Sequence, residues 1–269
     1  MIALITGASS GIGAEFAHQL AGRRYDLILV ARRKDRLEKL AAELAAAHGV
    51  HAETLAADLT ADAELKTVEQ RIAQDGGIDV LVNNAGFGVG GRFWETAIEA
   101  QNSLHRLHIM ATMRLTHAAL PAMTARNSGA VINVSSVAAF VPAAISSTYG
   151  STKAWINAFT EGLYLELKNS RSAVKVQALC PGFTYSEFHD VAHMDRNVIP
   201  KQMWMAAKDV VAASLHGLDR GKLFVVPGWR YKLVVAVVPA LPKFLRNPVI
   251  LKYSRRREHG MAGSPTKKD

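Results

Sequence analysis

A tyrosine and a lysine stand four residues apart at Tyr149 and Lys153, and Ser136 precedes the tyrosine by thirteen residues. An α-helix turns once every ~3.6 residues, so these two side chains share a helical face and the ammonium can lie beside the phenol. The cation favours the phenolate, and the serine hydroxyl can point at the same reacting oxygen. These groups suit proton transfer to or from a carbonyl or alcohol oxygen near neutral pH. Because this spacing also arises by chance on helix surfaces, the surrounding motifs must show whether the pair is functional.

The start of the chain predicts a phosphate-binding turn. Residues 2–5 are an apolar run typical of a buried strand, a glycine-rich segment follows at once, and a helical pattern comes next. Glycines let the backbone approach an anion, and the helix N-terminus offers free N–H groups and the positive end of its dipole. A plain strand-to-helix turn is the alternative. The residues expected around the anion are Gly7, Ser9, Ser10, Gly11, Ile12 and Gly13.

Together these motifs resemble the short-chain dehydrogenase/reductase family over roughly residues 1–227. The Gly-x-x-x-Gly-x-Gly spacing is the form that this family carries, and Asn-Asn-Ala-Gly at residues 83–86 is similar to its segment after the fourth strand. Ser136, Tyr149 and Lys153 match its catalytic trio in order and spacing. The resemblance implies further cofactor contacts from Asp58, Leu59, Asn84, Ala85, Gly86, Tyr149, Lys153, Pro181, Gly182 and Thr184.

The resemblance also implies a mechanism in which a substrate oxygen lies between Ser136 and Tyr149, with tyrosine as general acid or base. Ser135 is the adjacent alternative, but neighbouring strand residues point to opposite faces, and the spacing to the tyrosine selects Ser136. One position departs from the family: His108 stands where many members carry an asparagine that supports a proton relay. We expect His108 either to take over the relay or to pack the helix.

The end of the second predicted strand indicates which nicotinamide cofactor is used. An NAD site places a carboxylate there for the ribose hydroxyls, but Ala31 occupies the position. Arg32 and Arg33 follow, and guanidinium groups bind phosphate through paired, charge-assisted hydrogen bonds. The pattern predicts NADP(H), with Arg32 favoured by its family position. The alternative is that both arginines only begin a solvated helix with Lys34 and Arg36.

Alternating strand and helix patterns predict an α/β fold: one Rossmann-type, doubly wound parallel sheet of about seven strands with helices on both faces. A long helix is expected over residues 100–125. The catalytic domain is assigned to residues 1–227 and an apolar, basic C-terminal extension to residues 228–253. Residues 254–269 are polar and charged, so we expect them to be disordered.

The net charge of +9 comes mainly from the C-terminal extension, since ten Lys and Arg residues but only two acidic residues follow Pro227. The high pI therefore does not indicate nucleic-acid binding by the catalytic domain. The single cysteine, Cys180, excludes an internal disulfide and suits a reducing cytosol. The first strand begins at residue 2, so we expect no secretion signal. The expected location is the cytoplasm, alone or with attachment to the inner face of a membrane.

The segment 185–207 is expected to form a lid, and its Phe, Met and Trp residues suit either an apolar substrate or packing within the domain. His189 and His193 lie four residues apart, but no further ligand pattern supports a metal site, so none is predicted. Residues 229–257 combine apolar, aromatic and basic residues, which suits either an anionic membrane surface or packing against the protein. Homodimers or homotetramers are implied by the resemblance alone.

The sequence thus predicts an NADP(H)-dependent reductase, or reversible alcohol dehydrogenase, for a small-molecule carbonyl or alcohol of apolar or lipid-like character. A catalytically silent NADP(H)-binding sensor or assembly module is the alternative from another functional class. The intact trio argues against the silent module, and the only support for it is His108, which replaces the family's asparagine.

Overall fold

The computed structural model describes residues 1–262 except Asp75, Ile145 and residues 189–198, and it describes no side chain at Tyr253 or from Arg256 onward. Seven parallel strands form one sheet in the order β3-β2-β1-β4-β5-β6-β7 across this part of the chain. The predicted doubly wound α/β fold is confirmed. The strands are β1 (Ile2–Thr6), β2 (Asp26–Ala31), β3 (Ala52–Ala56), β4 (Val80–Asn83), β5 (Ala130–Val134), β6 (Lys175–Leu179) and β7 (Phe224–Val225).

Both faces of the sheet are covered by helices because alternate strand residues point to opposite sides. Ile5 and Leu29 belong to one buried apolar cluster, whereas Leu4 and Ile28 belong to the other. The helices are α1 (Gly11–Gly22), α2 (Lys34–His48), α3 (Asp62–Ala73), α4 (Ile98–His105), α5 (Thr112–Ala125), α6 (Ser147–Asn169), α7 (Ala207–Asp219), α8 (Trp229–Val237) and α9 (Lys243–Ala262).

The single helix expected over residues 100–125 is interrupted. A π-helical turn, Arg106–Ala111, joins α4 to α5 and contains the buried His108. A π-turn inserts an extra residue into the helical ladder and occurs frequently at functional sites. Apolar periodicity predicts the existence of a helix, but it does not reveal a local change in hydrogen-bond pattern.

Residues 254–262 continue α9 in the structure, and the expected disorder of residues 254–269 stays a prediction. One tertiary contact is made at the start of this segment: Ser254 is buried, and its hydroxyl accepts a hydrogen bond of 3.2 Å from the backbone N–H of Ala144. Composition alone does not report such a contact. Residues 263–269 lie outside the described residues.

Candidate active site

The glycine loop between β1 and α1 has the shape of an anion cradle. Gly7 and Gly11 have φ angles of +65° and +57°, which non-glycine residues adopt rarely. A Cβ atom at Gly13 would lie 2.2 Å from the carbonyl oxygen of Gly7, so a side chain there would collide with the turn. Two glycines are thus needed for backbone conformation and the third for close packing of α1.

The Asn84-Ala85-Gly86 segment braces this loop from the end of β4. The backbone N–H groups of Asn84 and Ala85 donate to the Thr6 hydroxyl at 2.9 and 3.0 Å. The Asn84 side-chain amide donates to the carbonyls of Thr6 and Gly7 at 2.9 and 3.3 Å. The structure therefore brings together the glycine loop and the Asn-Asn-Ala-Gly segment that the sequence singles out.

Arg33 extends the cradle beyond the glycines. Its guanidinium donates to the Ser9 hydroxyl at 2.9 and 3.2 Å and to the Ser10 hydroxyl at 3.0 Å. It also pairs with the Glu187 carboxylate at 2.8 Å, and Arg36 contacts the same carboxylate. Hydrogen bonds from Arg36 and Arg33 lower the pKa of Glu187 to about 2, so this carboxylate is an anion near neutral pH. Glu187 thus marks a position where two guanidinium groups hold negative charge.

Arg32, the favoured phosphate ligand, is oriented differently. Its side chain is 76% exposed, and its nearest acidic group is the Asp58 carboxylate at 4.0 Å. Burial alone would raise the pKa of Asp58, but hydrogen bonds from Thr60 and the charge of Arg32 outweigh this effect, so the pKa lies below its ordinary value. Leu59 is buried beside it. Of the two arginines, Arg33 is the one that touches the glycine loop.

The three residues predicted to be catalytic lie after β5 and on α6, at the same edge of the sheet. The Lys153 ammonium lies 5.7 Å from the centre of the Tyr149 ring and donates a 2.8 Å hydrogen bond to the Val134 carbonyl. Burial lowers the pKa of Lys153 to about 7. A lysine poised near neutrality responds strongly to a neighbouring negative charge, and the tyrosine phenolate would be such a charge.

The two adjacent serines after β5 have separate partners. Ser135 donates to the carbonyl of Lys153 at 3.0 Å inside the fold. The Ser136 hydroxyl accepts from the Ala138 N–H at 3.1 Å and has only a long 3.5 Å contact to the Pro181 carbonyl. The proton of Ser136 is therefore weakly committed and can be redirected to a substrate oxygen.

His108 bridges the loop after β4 to α6. The backbone N–H of Phe87 donates to its Nε2 at 3.3 Å, so Nε2 carries the lone pair and Nδ1 carries the proton. Nδ1 then donates at 2.9 Å to the Thr152 hydroxyl, which donates to the Tyr149 carbonyl at 2.9 Å. Burial lowers the pKa of His108 well below its ordinary value, and the positive charge of Lys153 is the second cause. His108 is thus a neutral bridge with both nitrogens engaged.

A residue that sequence reasoning missed completes the loop after β6. The buried Tyr231 of α8 accepts from the Phe183 N–H at 3.0 Å, and its hydroxyl donates to the Met203 carbonyl. A Cβ atom at Gly182 would lie 2.0 Å from the Tyr231 ring, so only glycine fits there. The C-terminal extension therefore packs on the segment that contains Pro181 and Thr184. No local periodicity signals this contact between residues nearly fifty positions apart.

Aromatic rings line the approach to Tyr149. The Phe188 ring centre lies 5.7 Å from that of Tyr149, and Phe87 lies 6.2 Å from His108. Cys180 is fully buried, and burial raises the pKa of its thiol to about 12, which favours packing over redox chemistry. His189 and His193, considered as metal ligands, lie outside the described residues.

The observed cradle fits a nicotinamide dinucleotide. The glycine loop has the backbone conformation of a diphosphate-binding turn. The Arg33 guanidinium beside Ser9 and Ser10, together with Arg36 across the Glu187 carboxylate, offers a further anion position. Tyr149 and Lys153 are the residues that would hold the nicotinamide ribose. These groups are all brought to the carboxyl edge of the sheet, as expected for an open α/β fold.

Comparison with known proteins agrees with this geometry. The family described as short chain dehydrogenase matches residues 1–197. The chain is 37% identical to a short-chain dehydrogenase from Sphingobium yanoikuyae solved in complex with NADPH, with a TM-score of 0.80 and coverage of 100% of this chain and 98% of the other.

A bulky-bulky ketone specific alcohol dehydrogenase from Comamonas testosteroni is 32% identical, with a TM-score of 0.76 over 100% of this chain and 96% of the other. A very-long-chain 3-oxoacyl-CoA reductase from Phaeosphaeria nodorum is 30% identical over 94% of this chain and 75% of its own length. The family match spans well over half of the chain, and these relatives extend it to nearly all of the rest. The protein is therefore an oxidoreductase that belongs to the short-chain dehydrogenase family.

Proposed function

We propose that this protein is an NADP(H)-dependent oxidoreductase that interconverts an apolar ketone or aldehyde and its alcohol. The observation that carries the proposal is the buried Lys153 ammonium beside the Tyr149 ring, with the weakly engaged Ser136 hydroxyl at the same edge of the sheet. Burial lowers the pKa of Lys153 to about 7, so this side chain can respond near neutral pH to negative charge that develops on the tyrosine oxygen.

In the reductive direction the substrate oxygen lies between the Ser136 and Tyr149 hydroxyls. Ser136 donates a hydrogen bond that polarises the carbonyl, and Tyr149 transfers its proton to the oxygen as negative charge develops. Lys153 stabilises the resulting phenolate by Coulomb attraction, which is strengthened because the ammonium is buried. The nicotinamide cofactor supplies the hydride when it is bound. In the oxidative direction the same tyrosine accepts the proton.

The preference for NADP(H) rests on charge at the end of β2. Ala31 offers no carboxylate to ribose hydroxyls, and Arg33 and Arg36 already surround an anionic group, the Glu187 carboxylate. A 2′-phosphate would replace this carboxylate at the same guanidinium groups. The Sphingobium relative was solved in complex with NADPH, which supports the same choice.

An apolar substrate is supported by two independent observations. Phe188 and Phe87 line the approach to Tyr149, so a substrate there exchanges water for aromatic surface. The relatives described as specific for bulky-bulky ketones and as very-long-chain 3-oxoacyl-CoA reductase act on large carbonyl compounds. We infer that the substrate is a bulky or lipid-like carbonyl compound.

Self-association is also proposed, through the helices that carry the site. Met110 and Met113 on the π-turn and α5, and Leu165 on α6, are exposed apolar residues. Pairing of these helices in a homodimer or homotetramer would remove them from water.

The test is NADPH oxidation across a panel of aliphatic, steroid and aromatic carbonyls, followed by the Tyr149→Phe variant on the best substrate. We expect kcat to fall by about 10²- to 10⁴-fold, the typical contribution of a positioned general acid. Tyr164→Phe, on the same helix, is the matched control and should retain activity. Calorimetric NADPH binding without turnover of any panel member would instead identify the silent binding module.

A further inference from the structure

The apolar stripe of α8 faces solvent rather than the core. Trp229, Leu233 and Val237 follow at intervals of four residues, so they share one helical face, and they are 67%, 56% and 45% exposed. A surface helix of a globular protein normally turns such a stripe inward. In this helix, Tyr231 is the only residue that is buried in the protein.

The following helix, α9, has the same character. Phe244, Leu245, Val249 and Leu251 are all exposed, with Phe244 at 75%. Single exposed apolar residues need no explanation, but seven large ones on two consecutive helices form an unusual concentration. The described residues of this extension supply no cover for them.

The charge of the same helices is one-sided. The two helices contain eight cations, Arg230, Lys232, Lys243, Arg246, Lys252, Arg255, Arg256 and Arg257, against one acidic residue, Glu258. The Arg230 guanidinium lies 4.7 Å from the centre of the Trp229 ring. A cation held against an exposed tryptophan places positive charge and apolar surface at the same level, which is the arrangement that a lipid headgroup region requires.

Both helices are fixed to loops that flank the candidate active site. Tyr231 holds the segment after β6 through Phe183, and Ser254 holds the segment between β5 and α6 through Ala144. The exposed surface is thus carried rigidly next to the opening of the cleft.

We propose that α8 and α9 dock on an anionic lipid surface. The positive charge of this surface attracts acidic lipid headgroups. It also argues against a dimer in which two copies pair through this same face, because like charges would be brought together. No helix in the described part of the chain has the length and hydropathy to cross a bilayer, so the contact is interfacial. The docked orientation brings the cleft to the source of a lipid-like carbonyl. That last consequence rests on the proposed function, whereas the docking itself does not.

The test is co-sedimentation with vesicles of phosphatidylcholine that contain about 30 mol% phosphatidylglycerol or none. We expect binding to the anionic vesicles alone, and we expect it to weaken strongly as salt rises from about 0.05 to 0.5 M. Replacing both Lys232 and Lys243 by Gln should weaken it roughly twentyfold. The charge-matched control replaces Lys39 and Lys66, which are exposed on α2 and α3, and should bind normally.

The apolar contribution is tested with two branched aliphatic residues of similar exposure. Leu233→Ala should weaken binding about tenfold, whereas Ile98→Ala on α4, where the isoleucine is 55% exposed, should not. The same series in a Tyr149→Phe background separates docking from catalysis, because vesicle binding must survive there. Equal losses for the Leu233 and Ile98 variants, equal binding to neutral vesicles, or self-association through Leu233 without vesicle binding would each overturn the proposal.

Discussion

Removal of the Arg33 guanidinium should selectively weaken the use of NADPH. Arg33 is held by the hydroxyls of Ser9 and Ser10 and faces the Glu187 carboxylate, so it is already oriented toward an anion. In the Arg33→Ala variant a 2′-phosphate loses this partner. NADH carries no such phosphate, so it loses only the indirect support that Arg33 gives to Ser9 and Ser10.

The size of the effect follows from two opposing contributions. A hydrogen bond to a charged group contributes about 1.5–3 kcal/mol. Arg33 must first leave Glu187, and because both side chains are about 40% exposed, that ion pair is worth only about 0.2–1 kcal/mol. The net loss is about 0.5–2.8 kcal/mol, which corresponds to a roughly 2- to 100-fold lower kcat/KM for NADPH.

The assay is the ratio of kcat/KM for NADPH to that for NADH with one saturating carbonyl substrate. Arg32→Ala should lower the ratio less, because this side chain must be ordered from solvent before it can bind. Lys39→Ala controls for the change in net charge. Glu187→Gln removes the competing carboxylate and should raise the ratio about two- to fivefold. An Arg33→Ala enzyme with an unchanged ratio would refute the assignment of this anion site.

Three further predictions concern residues that support the site. His108→Ala should lower kcat/KM about tenfold because the bridge between Phe87 and Thr152 is lost, while the pH profile between about pH 6 and 8 stays unchanged since the neutral histidine does not titrate there. Tyr231→Phe should raise the KM for NADPH about five- to tenfold with little change in kcat, measured in initial-rate assays, because two hydrogen bonds to the loop after β6 disappear. Urea unfolding of the cofactor-free protein should show that its free energy of unfolding, compared with that of Lys153→Met, rises with pH above about 7. The slope is at most about 1.4 kcal/mol per pH unit. The cause is that the unfolded lysine binds a proton up to its ordinary pKa near 10.5, whereas the folded lysine does not.

Each of these outcomes has a distinct contradiction. A pH profile that shifts in the histidine variant would indicate that His108 carries protons after all. An unaltered KM for NADPH in Tyr231→Phe would show that the contact of the C-terminal extension with the loop after β6 does not affect cofactor binding. A stability difference that is flat with pH would mean that Lys153 keeps its charge when buried, compensated by the Val134 carbonyl.

The parts of the site that sequence predicts are those encoded by local spacing. The four-residue interval from Tyr149 to Lys153 fixes a shared helical face, and the glycine spacing fixes a turn whose φ angles only glycine adopts readily. Alternating apolar strands fix the parallel sheet because buried strands between helices have few other arrangements. These features need no knowledge of residues distant in the chain.

The parts that sequence misses depend on contacts between distant segments. Arg32 and Arg33 are identical in type and adjacent, so only the position of Ser9 shows which one faces the loop. The reach of Tyr231 to Phe183 and the burial of Ser254 likewise depend on how the extension folds back. The polar composition of residues 254–269 predicts disorder because it reflects charge but carries no information about tertiary hydrogen bonds.

Glu187 and Phe188 are consecutive residues that contact both parts of the candidate site. Glu187 is held by Arg33 at the anion site, and Phe188 lies against the ring of Tyr149. Under the proposed use of NADPH, an arriving 2′-phosphate would displace the carboxylate and remove this restraint on the segment that carries Phe188. We therefore expect an ordered reaction in which NADPH binds before the carbonyl compound, and product-inhibition patterns that show random binding would contradict it.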